Sequence, residues 1–174
     1  MRKFCLTIIV LAGFSKALFA QFGNCTASEM QTYTDRETGN TITILTDTLK
    51  NDRFLYQTDP MWTHDGKYLL FRSSSRANDK KIERTLPNGE KRSWTPTQIY
   101  FIEMATGQII QATEGPDLGS AFLANKSNRM FISRKEKEDW NMYVMDLDKF
   151  FADVKKGKVG KPTAYETLLG TFPT

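Results

Sequence analysis

Histidine and cysteine are scarce in this 174-residue chain, which contains one histidine and two cysteines. Cys5 lies in an N-terminal leader, so Cys25 has no partner for an internal disulfide, and packing must hold the fold together. The chain also lacks the paired Cys/His spacing of a zinc site, a Gly-x-Ser-x-Gly nucleophile motif and a phosphate-binding Gly-rich loop. These absences argue against a self-contained enzyme.

The first twenty residues have the organisation of a secretory signal peptide. Arg2 and Lys3 supply a positive end, Leu6–Gly13 an apolar segment, and Ala17–Ala20 a cleavage site before Gln21. The apolar run is shorter than the roughly 20 residues that span a bilayer, which disfavours a membrane anchor. A lipidated cysteine is a weaker alternative. We therefore expect a secreted or periplasmic protein with no membrane attachment after cleavage.

The basic charge of the chain belongs largely to this leader. The formal net charge is +4, and removing the leader takes away three cations, Arg2, Lys3 and Lys16, and no acid. The mature chain is therefore close to neutral, and its charge gives no reason to expect a nucleic-acid partner. With 40% hydrophobic and 12% aromatic residues, the chain is globular rather than disordered.

The clearest structural signal is the segment Pro60–Ser73. Met61–Thr63 predicts a short strand, Asp65-Gly66 a tight turn, and Lys67–Ser73 a second strand. The second strand contains four consecutive apolar residues, Tyr-Leu-Leu-Phe, which is typical of a strand covered on both faces. This is the pattern of an inner strand in a β-propeller blade.

A weaker copy of this hairpin occupies Ala121–Ser133. Aligning Gly66 with Ser127 gives a repeat of about 61 residues, within the range of the longer propeller repeats. The predicted third strands match as well, because Gln98–Met104 and Asn141–Leu147 each carry a tyrosine followed three residues later by an acid. The sequence therefore predicts two blade-like units.

These units divide the whole chain. We expect a polar lead-in at 21–34, a closing strand at 35–53, a first blade at 54–116 and a second at 117–174, with one short helix near 150–156. The predicted fold class is all-β, an incomplete propeller of two four-stranded antiparallel blades plus an N-terminal closing strand. A closed propeller needs roughly four to eight blades. We therefore expect a chain truncated within a longer protein, or one that obtains the missing propeller blades from other chains.

The connection Arg72–Thr97 concentrates positive charge. It contains seven basic residues against three acids, while the rest of the mature chain is net acidic. In propellers this connection lies on the face where ligands bind, so an anionic sugar could meet the charge here. Arg72, Arg76 and Trp94 are the candidate substrate-binding residues. The alternative is a solvated insertion with no ligand.

Several segments together resemble oligogalacturonate lyase, a seven-bladed propeller polysaccharide lyase. The resemblance covers roughly 32–169, and it is carried by the turn and strand at Tyr33–Thr46, the hairpin Tyr56–Phe71, the third strand Ile99–Glu103 and the blade end Gln111–Gly115. TolB-like propellers and the propeller domains of prolyl peptidases share the Asp-Gly hairpin. The combination of segments, in this order, favours the lyase.

The resemblance implies β-elimination on oligogalacturonate, the anionic oligosaccharide released from pectin. In that family a manganese-type site rests on several histidines and a glutamine, with a further histidine as base, all in later blades. This chain has only His64, in the predicted turn, where a solvated role is expected. We therefore assign no catalytic and no metal residue, and we expect the chain to be inactive alone. A non-catalytic TolB-like propeller that binds a protein or glycan is the alternative.

Overall fold

A computed structural model describes residues 21–77, 81–86, 88–115, 118–136 and 139–173. The predicted signal peptide therefore lies outside the described residues. The chain is mostly β-strand, and its elements in order are β1 (Cys25–Thr26), β2 (Gln31–Thr34), β3 (Thr41–Ile44), β4 (Asp52–Arg53), β5 (Tyr68–Ser73), β6 (Ile82–Thr85), β7 (Lys91–Trp94), β8 (Gln98–Glu103), β9 (Ile109–Gln111), β10 (Leu118–Leu123), β11 (Arg129–Glu136), β12 (Asp139–Asp146), α1 (Leu147–Lys155), a 3-10 turn (Pro162–Ala164) and β13 (Glu166–Phe172).

Two antiparallel sheets correspond to the two predicted blades. The first, which we call blade 1, has the strand order β1-β9-β8-β5-β4, and blade 2 has the order β10-β11-β12-β13. The pairs β2-β3 and β6-β7 form two small separate hairpins. This arrangement confirms the predicted fold class, an all-β incomplete propeller. Among the described residues, no helix is both long and apolar enough to cross a membrane.

The Asp65-Gly66 turn forms as predicted. The Thr63 amide donates to the Tyr68 carbonyl at 3.0 Å, and Gly66 adopts a positive φ of 69°, which glycine tolerates without steric cost. The prediction of a strand at Met61–Thr63 is only partly confirmed, because this segment forms an isolated antiparallel bridge, from Trp62 to Leu69. The other half of the β5 edge is taken by β4, whose Arg53 lies opposite Arg72.

The predicted lead-in contains strands, and one of them pairs with part of the predicted closing segment. Residues 21–34 contain two strands: β1 extends blade 1 by pairing with β9, and β2 pairs with β3 from the predicted closing segment. The turn between β2 and β3 is closed by the Asp35 amide, which donates to the Asn40 carbonyl at 2.8 Å. All four residues of β2, Gln-Thr-Tyr-Thr, are exposed. Because three of them are polar, the segment lacks the alternation of apolar and polar residues by which a half-buried strand is predicted from sequence.

One core joins the two blades and the helix. Phe101 of blade 1, Met130 of blade 2 and Phe150 of α1 are fully buried in the same apolar cluster. The helix begins at Leu147, three residues before the predicted start, because the Asp146 carboxylate accepts the Lys149 amide as an N-cap. The predicted apolar face of the helix therefore covers the sheets.

The opposite face of blade 1 has its own cover. Phe71, Tyr100, Ile102 and Ile109 form a second buried cluster, and the N-terminal segment packs against it through Met30 and Leu45. Side chains on β5 therefore alternate between the two clusters, and four consecutive residues from Tyr68 are buried. This confirms that the Tyr-Leu-Leu-Phe run marks a strand covered on both faces.

The outer face of blade 2 is open within the described part of the chain. Leu70 and Phe101 are cross-strand partners buried between the blades, and their repeat equivalents, Phe131 and Val144, are also cross-strand partners. Phe131 and Val144 are only half-buried, and Phe122 beside them is 45% exposed. Blade 2 therefore has an apolar surface on its outer face, at the positions equivalent to those through which blade 1 contacts blade 2.

We expect Phe150→Ala to lower the free energy of unfolding by about 3–5 kcal/mol, because it leaves a cavity where both blades and the helix meet. Urea unfolding of residues 21–174 measures this loss. The control is Phe122→Ala, at the 45% exposed position, with an expected loss of about 1 kcal/mol or less. Equal losses for the two variants would show that the blades do not share one core.

Candidate functional site

A cavity of about 700 Å³ opens where the inner edge of blade 1 meets the first strand of blade 2. Its lining residues come from the segments 51–59, 72–74, 94–99 and 118–122. These are β4 and the turn after it, the end of β5, the junction of β7 with β8, and β10. Most of the side chains from blade 1 that reach the cavity are polar or aromatic, so it suits a hydrated polar ligand.

Two arginines lie side by side on the cavity wall. Arg53 and Arg72 are directly opposed in the β4-β5 ladder, so their side chains leave the same face of the sheet. Both are exposed, and neither forms an ion pair within the described residues. Arg53 Nε donates to the Asn51 carboxamide oxygen at 3.3 Å. Like charges opposite each other are destabilising, and an anion bound between them would relieve that repulsion.

Asp59 is the acidic residue that lines the same cavity. Its amide donates to the Tyr56 carbonyl at 2.8 Å, which fixes the turn that carries both side chains. No ion pair joins Asp59 to Arg53 or Arg72. The arginine pair therefore keeps its positive character at the wall.

Aromatic side chains flank the arginines. Tyr56 is 68% exposed and Trp94 is 38% exposed, and both line the cavity. Exposed aromatic rings next to cationic groups are suited to sugars, since the ring packs on the apolar face of the sugar while charged groups bind its acid. Two of the three predicted substrate-binding residues, Arg72 and Trp94, are thus brought together here.

Arg76 has a different role and lies outside this cavity. Its Nε donates to Asp52 at 2.9 Å, and Nη1 and Nη2 donate to the two Glu29 oxygens at 2.9 and 2.6 Å. The guanidinium also lies 5.3 Å from the centre of the Phe71 ring, and the side chain is 7% exposed. Arg76 therefore ties the N-terminal segment to blade 1, away from Arg72 and Trp94, and its predicted substrate contact stays a prediction.

The Arg76 guanidinium also sets the ionisation of its partner. Hydrogen bonding from Arg76 lowers the pKa of Glu29 to about 2, and the Asp47 amide, which donates to Glu29 at 2.8 Å, acts in the same direction. The carboxylate stays ionised at neutral pH in the folded chain. This partly buried pair is consequently a structural clamp between the N-terminal segment and blade 1.

The basic connection between β5 and β8 contains the β6-β7 hairpin. The Leu86 amide donates to the Glu90 carbonyl at 2.8 Å, and Gly89 in the tip has a φ of 83°. Lys81, Lys91 and Arg92 are exposed on it. The predicted Asp79 and Lys80 charges lie outside the described residues. Trp94 lies at the base of the hairpin, opposite Ile82, and its side chain lines the cavity.

His64 is exposed in the β-turn, and its Nδ1 lies 3.0 Å from the Asn125 carbonyl of the repeated turn. The imidazole therefore joins the two hairpin tips.

Within the described ranges, no three His, Cys, Asp or Glu side chains gather as metal ligands. These residues do not fit the manganese site implied by the resemblance, and no step is assigned to a metal here.

The fold and cavity define an all-β incomplete propeller with a cationic, aromatic site between its blades. Solved oligogalacturonate lyases share this fold. One in complex with manganese matches 89% of this chain with a TM-score of 0.58 and 20% identity. The enzyme from Vibrio parahaemolyticus matches 74% of this chain with a TM-score of 0.52 and 23% identity. No protein-family model and no curated protein matches the sequence.

These comparisons confirm the resemblance to oligogalacturonate lyase at the level of the fold. The chain spans about a third of each lyase, 32% of the manganese complex and 29% of the Vibrio protein. The manganese belongs to the lyase whose structure contains it.

Sequence patterns missed Arg53 and Tyr56 as cavity residues. Arg53 lies in a strand of two residues, which is too short to show a period, and it meets Arg72 only through the register of β4 with β5. Tyr56 follows in an irregular segment. The one signal in the sequence was that an arginine and a tyrosine, Arg53 and Tyr56, stand shortly before the Pro60 hairpin.

We expect Arg76→Met to lower the free energy of unfolding at pH 7 by about 3 kcal/mol, because it leaves two carboxylates without their cation. Urea unfolding measures the effect. The matched control is Lys67→Met, which removes a surface pair with Asp65 and should cost no more than about 1 kcal/mol.

The same clamp gives a pH dependence. The Glu29 pKa is lower in the folded chain than its ordinary value, so its contribution is present above about pH 4.5 and is lost as the pH falls towards 2. The wild-type chain should therefore lose more stability over this interval than the Arg76→Met variant. Parallel pH profiles would contradict the clamp.

Proposed function

We propose that this chain is part of an oligogalacturonate lyase-like protein, secreted or periplasmic, and that the cavity between its blades binds acidic oligosaccharides. The observation that carries the proposal is the opposed Arg53–Arg72 pair beside Tyr56 and Trp94. A secreted location places the protein where polymer fragments from plant cell walls are available.

The chemistry of the ligand follows from these side chains. A guanidinium forms paired hydrogen bonds with a carboxylate, and two guanidinium groups on neighbouring strands can engage the acid groups of a uronate chain. The aromatic rings favour a pyranose over a small free acid, because a sugar offers a C–H face for packing. A galacturonate oligomer supplies both features in every residue.

β-Elimination makes three demands on an enzyme. The uronate carboxylate must be neutralised, the adjacent proton must be removed by a base, and the leaving oxygen must receive a proton. Arg53 and Arg72 could serve the first demand. We assign no base and no acid among the described residues, so the lyase activity we propose depends on groups elsewhere in the whole protein.

A second candidate is a non-catalytic TolB-like propeller that binds a glycan or a protein. The observation in its favour is that the sequence contains a single histidine, His64, and that its ring contacts a backbone carbonyl of the neighbouring turn. The two candidates share the cavity and differ in whether the remaining blades bring a metal site.

We expect the mature chain to bind trigalacturonate, and we expect Arg72→Gln or Arg53→Gln to weaken that binding roughly tenfold, since each removes one charged hydrogen-bonding group. Isothermal titration measures the affinities. Arg92→Gln is the control, because Arg92 is exposed on the β6-β7 hairpin and does not line the cavity. A neutral galactose trimer should bind weakly or not at all. Equal affinity of all variants, or an equal loss in the Arg92 variant, would place the site elsewhere.

We also expect no cleavage of oligogalacturonate by this chain alone with manganese present. The described residues provide no set of metal ligands, and the chain spans about a third of the known lyases. The assay follows the ultraviolet absorbance of unsaturated uronate products. A rise in absorbance above that of manganese with substrate alone would refute this expectation.

A further inference from the structure

We propose that the mature protein begins at Gln21 and that this residue closes on its own side chain to form a pyroglutamyl lactam. The leader pattern ends at Ala17–Ala20, directly before Gln21. A chain that starts at Gln21 keeps Phe22, which is buried in the folded protein.

Phe22 is an anchor of the main core. It is 5% exposed, and its ring lies 5.1 Å from the Phe150 ring and 5.8 Å from the Tyr165 ring. Its amide donates to the Glu114 carboxylate at 3.2 Å. Cleavage after Ala20 leaves Phe22 in place, whereas cleavage beyond it would remove an aromatic side chain from between the helix and the 3-10 turn.

Gly23 extends the anchor. Its amide donates to the Gln111 carbonyl at 2.7 Å, and its φ is 77°. A Cβ atom at this position would come within 2.5 Å of the Val159 side chain. The backbone at 22–23 is thus fixed against blade 1 and the segment after α1, directly after Gln21.

An N-terminal glutamine has a reaction open to it that few other residues share. The α-amino nitrogen attacks the side-chain carbonyl carbon Cδ, the new N–Cδ bond closes a five-membered ring, and the bond from Cδ to the amide nitrogen breaks. The amide nitrogen leaves as ammonia with a proton from the amine. The reaction needs no oxidant or energy source, and it removes the terminal positive charge.

Gln21 is half-buried, and its backbone carbonyl accepts the Asn24 amide at 3.0 Å. This hydrogen bond does not use the α-amine, and the lactam retains the backbone carbonyl. Cyclisation therefore leaves the hydrogen bond from the Asn24 amide to the Gln21 carbonyl intact. A blocked end followed directly by a buried aromatic residue leaves aminopeptidases no free terminus, which is an advantage for a protein outside the cell.

The test uses the full chain with its own leader, expressed in a secreting bacterium and purified from the periplasm or medium. Tandem mass spectrometry of the N-terminal peptide should show a chain that starts at residue 21 and is lighter by one ammonia than the encoded sequence. Edman degradation should fail until pyroglutamyl aminopeptidase has removed the first residue.

The matched control is Gln21→Asn, which keeps a side-chain amide but would require a strained four-membered ring. This variant should be cleaved at the same bond and should give a free, sequenceable terminus. A wild-type terminus at any other residue, retention of the leader, or a free amine on Gln21 that persists after incubation would each overturn the proposal. None of these outcomes depends on whether the cavity binds sugar.

Discussion

Face-to-face packing of the two blades is the interaction on which the rest of the structure depends. Leu70 and Phe101 of blade 1 meet Met130 and Ile132 of blade 2 in one buried cluster. The helix α1 closes the cluster with Phe150, and Tyr68 stacks on Phe151 with ring centres 3.6 Å apart. The described residues contain one cysteine, the exposed Cys25, so this apolar contact takes the place of a disulfide.

The packing also creates the proposed site. Because the blades meet through their apolar residues, their polar strand ends are left to line the gap between β4 and β10. The short strand β4 brings Arg53 opposite Arg72, an arrangement that costs stability in the absence of an anion. On the far side of blade 1, Arg76 is neutralised by Glu29 and Asp52. Two nearby arginines of the same segment, Arg72 and Arg76, therefore have different surroundings, because among the described residues Arg76 has carboxylate partners and Arg72 does not.

Much of this fold could be predicted because strong local patterns agree with it. The turn at Gly66, the apolar run after it and the tyrosine-bearing third strands each follow from local rules, and α1 was expected within three residues of its start. The strands β1, β2 and β4 were missed because they are short or exposed and owe their pairing to distant partners. The roles of Arg53 and Arg76 were missed for a related reason. Whether an arginine is paired depends on residues 24 to 47 positions away, such as Asp52 and Glu29 for Arg76, which no local pattern reports.

Blades 1 and 2 pack as neighbouring propeller blades, and we propose that the gap between them is a cationic site for an acidic sugar. A crystal structure of the mature chain with trigalacturonate tests this most directly. We expect a uronate carboxylate within hydrogen-bonding distance of Arg72 and Arg53, with a sugar ring against Trp94 or Tyr56. Sugar bound elsewhere with this cavity empty, or blades that do not share the Phe101–Phe150 core, would contradict it.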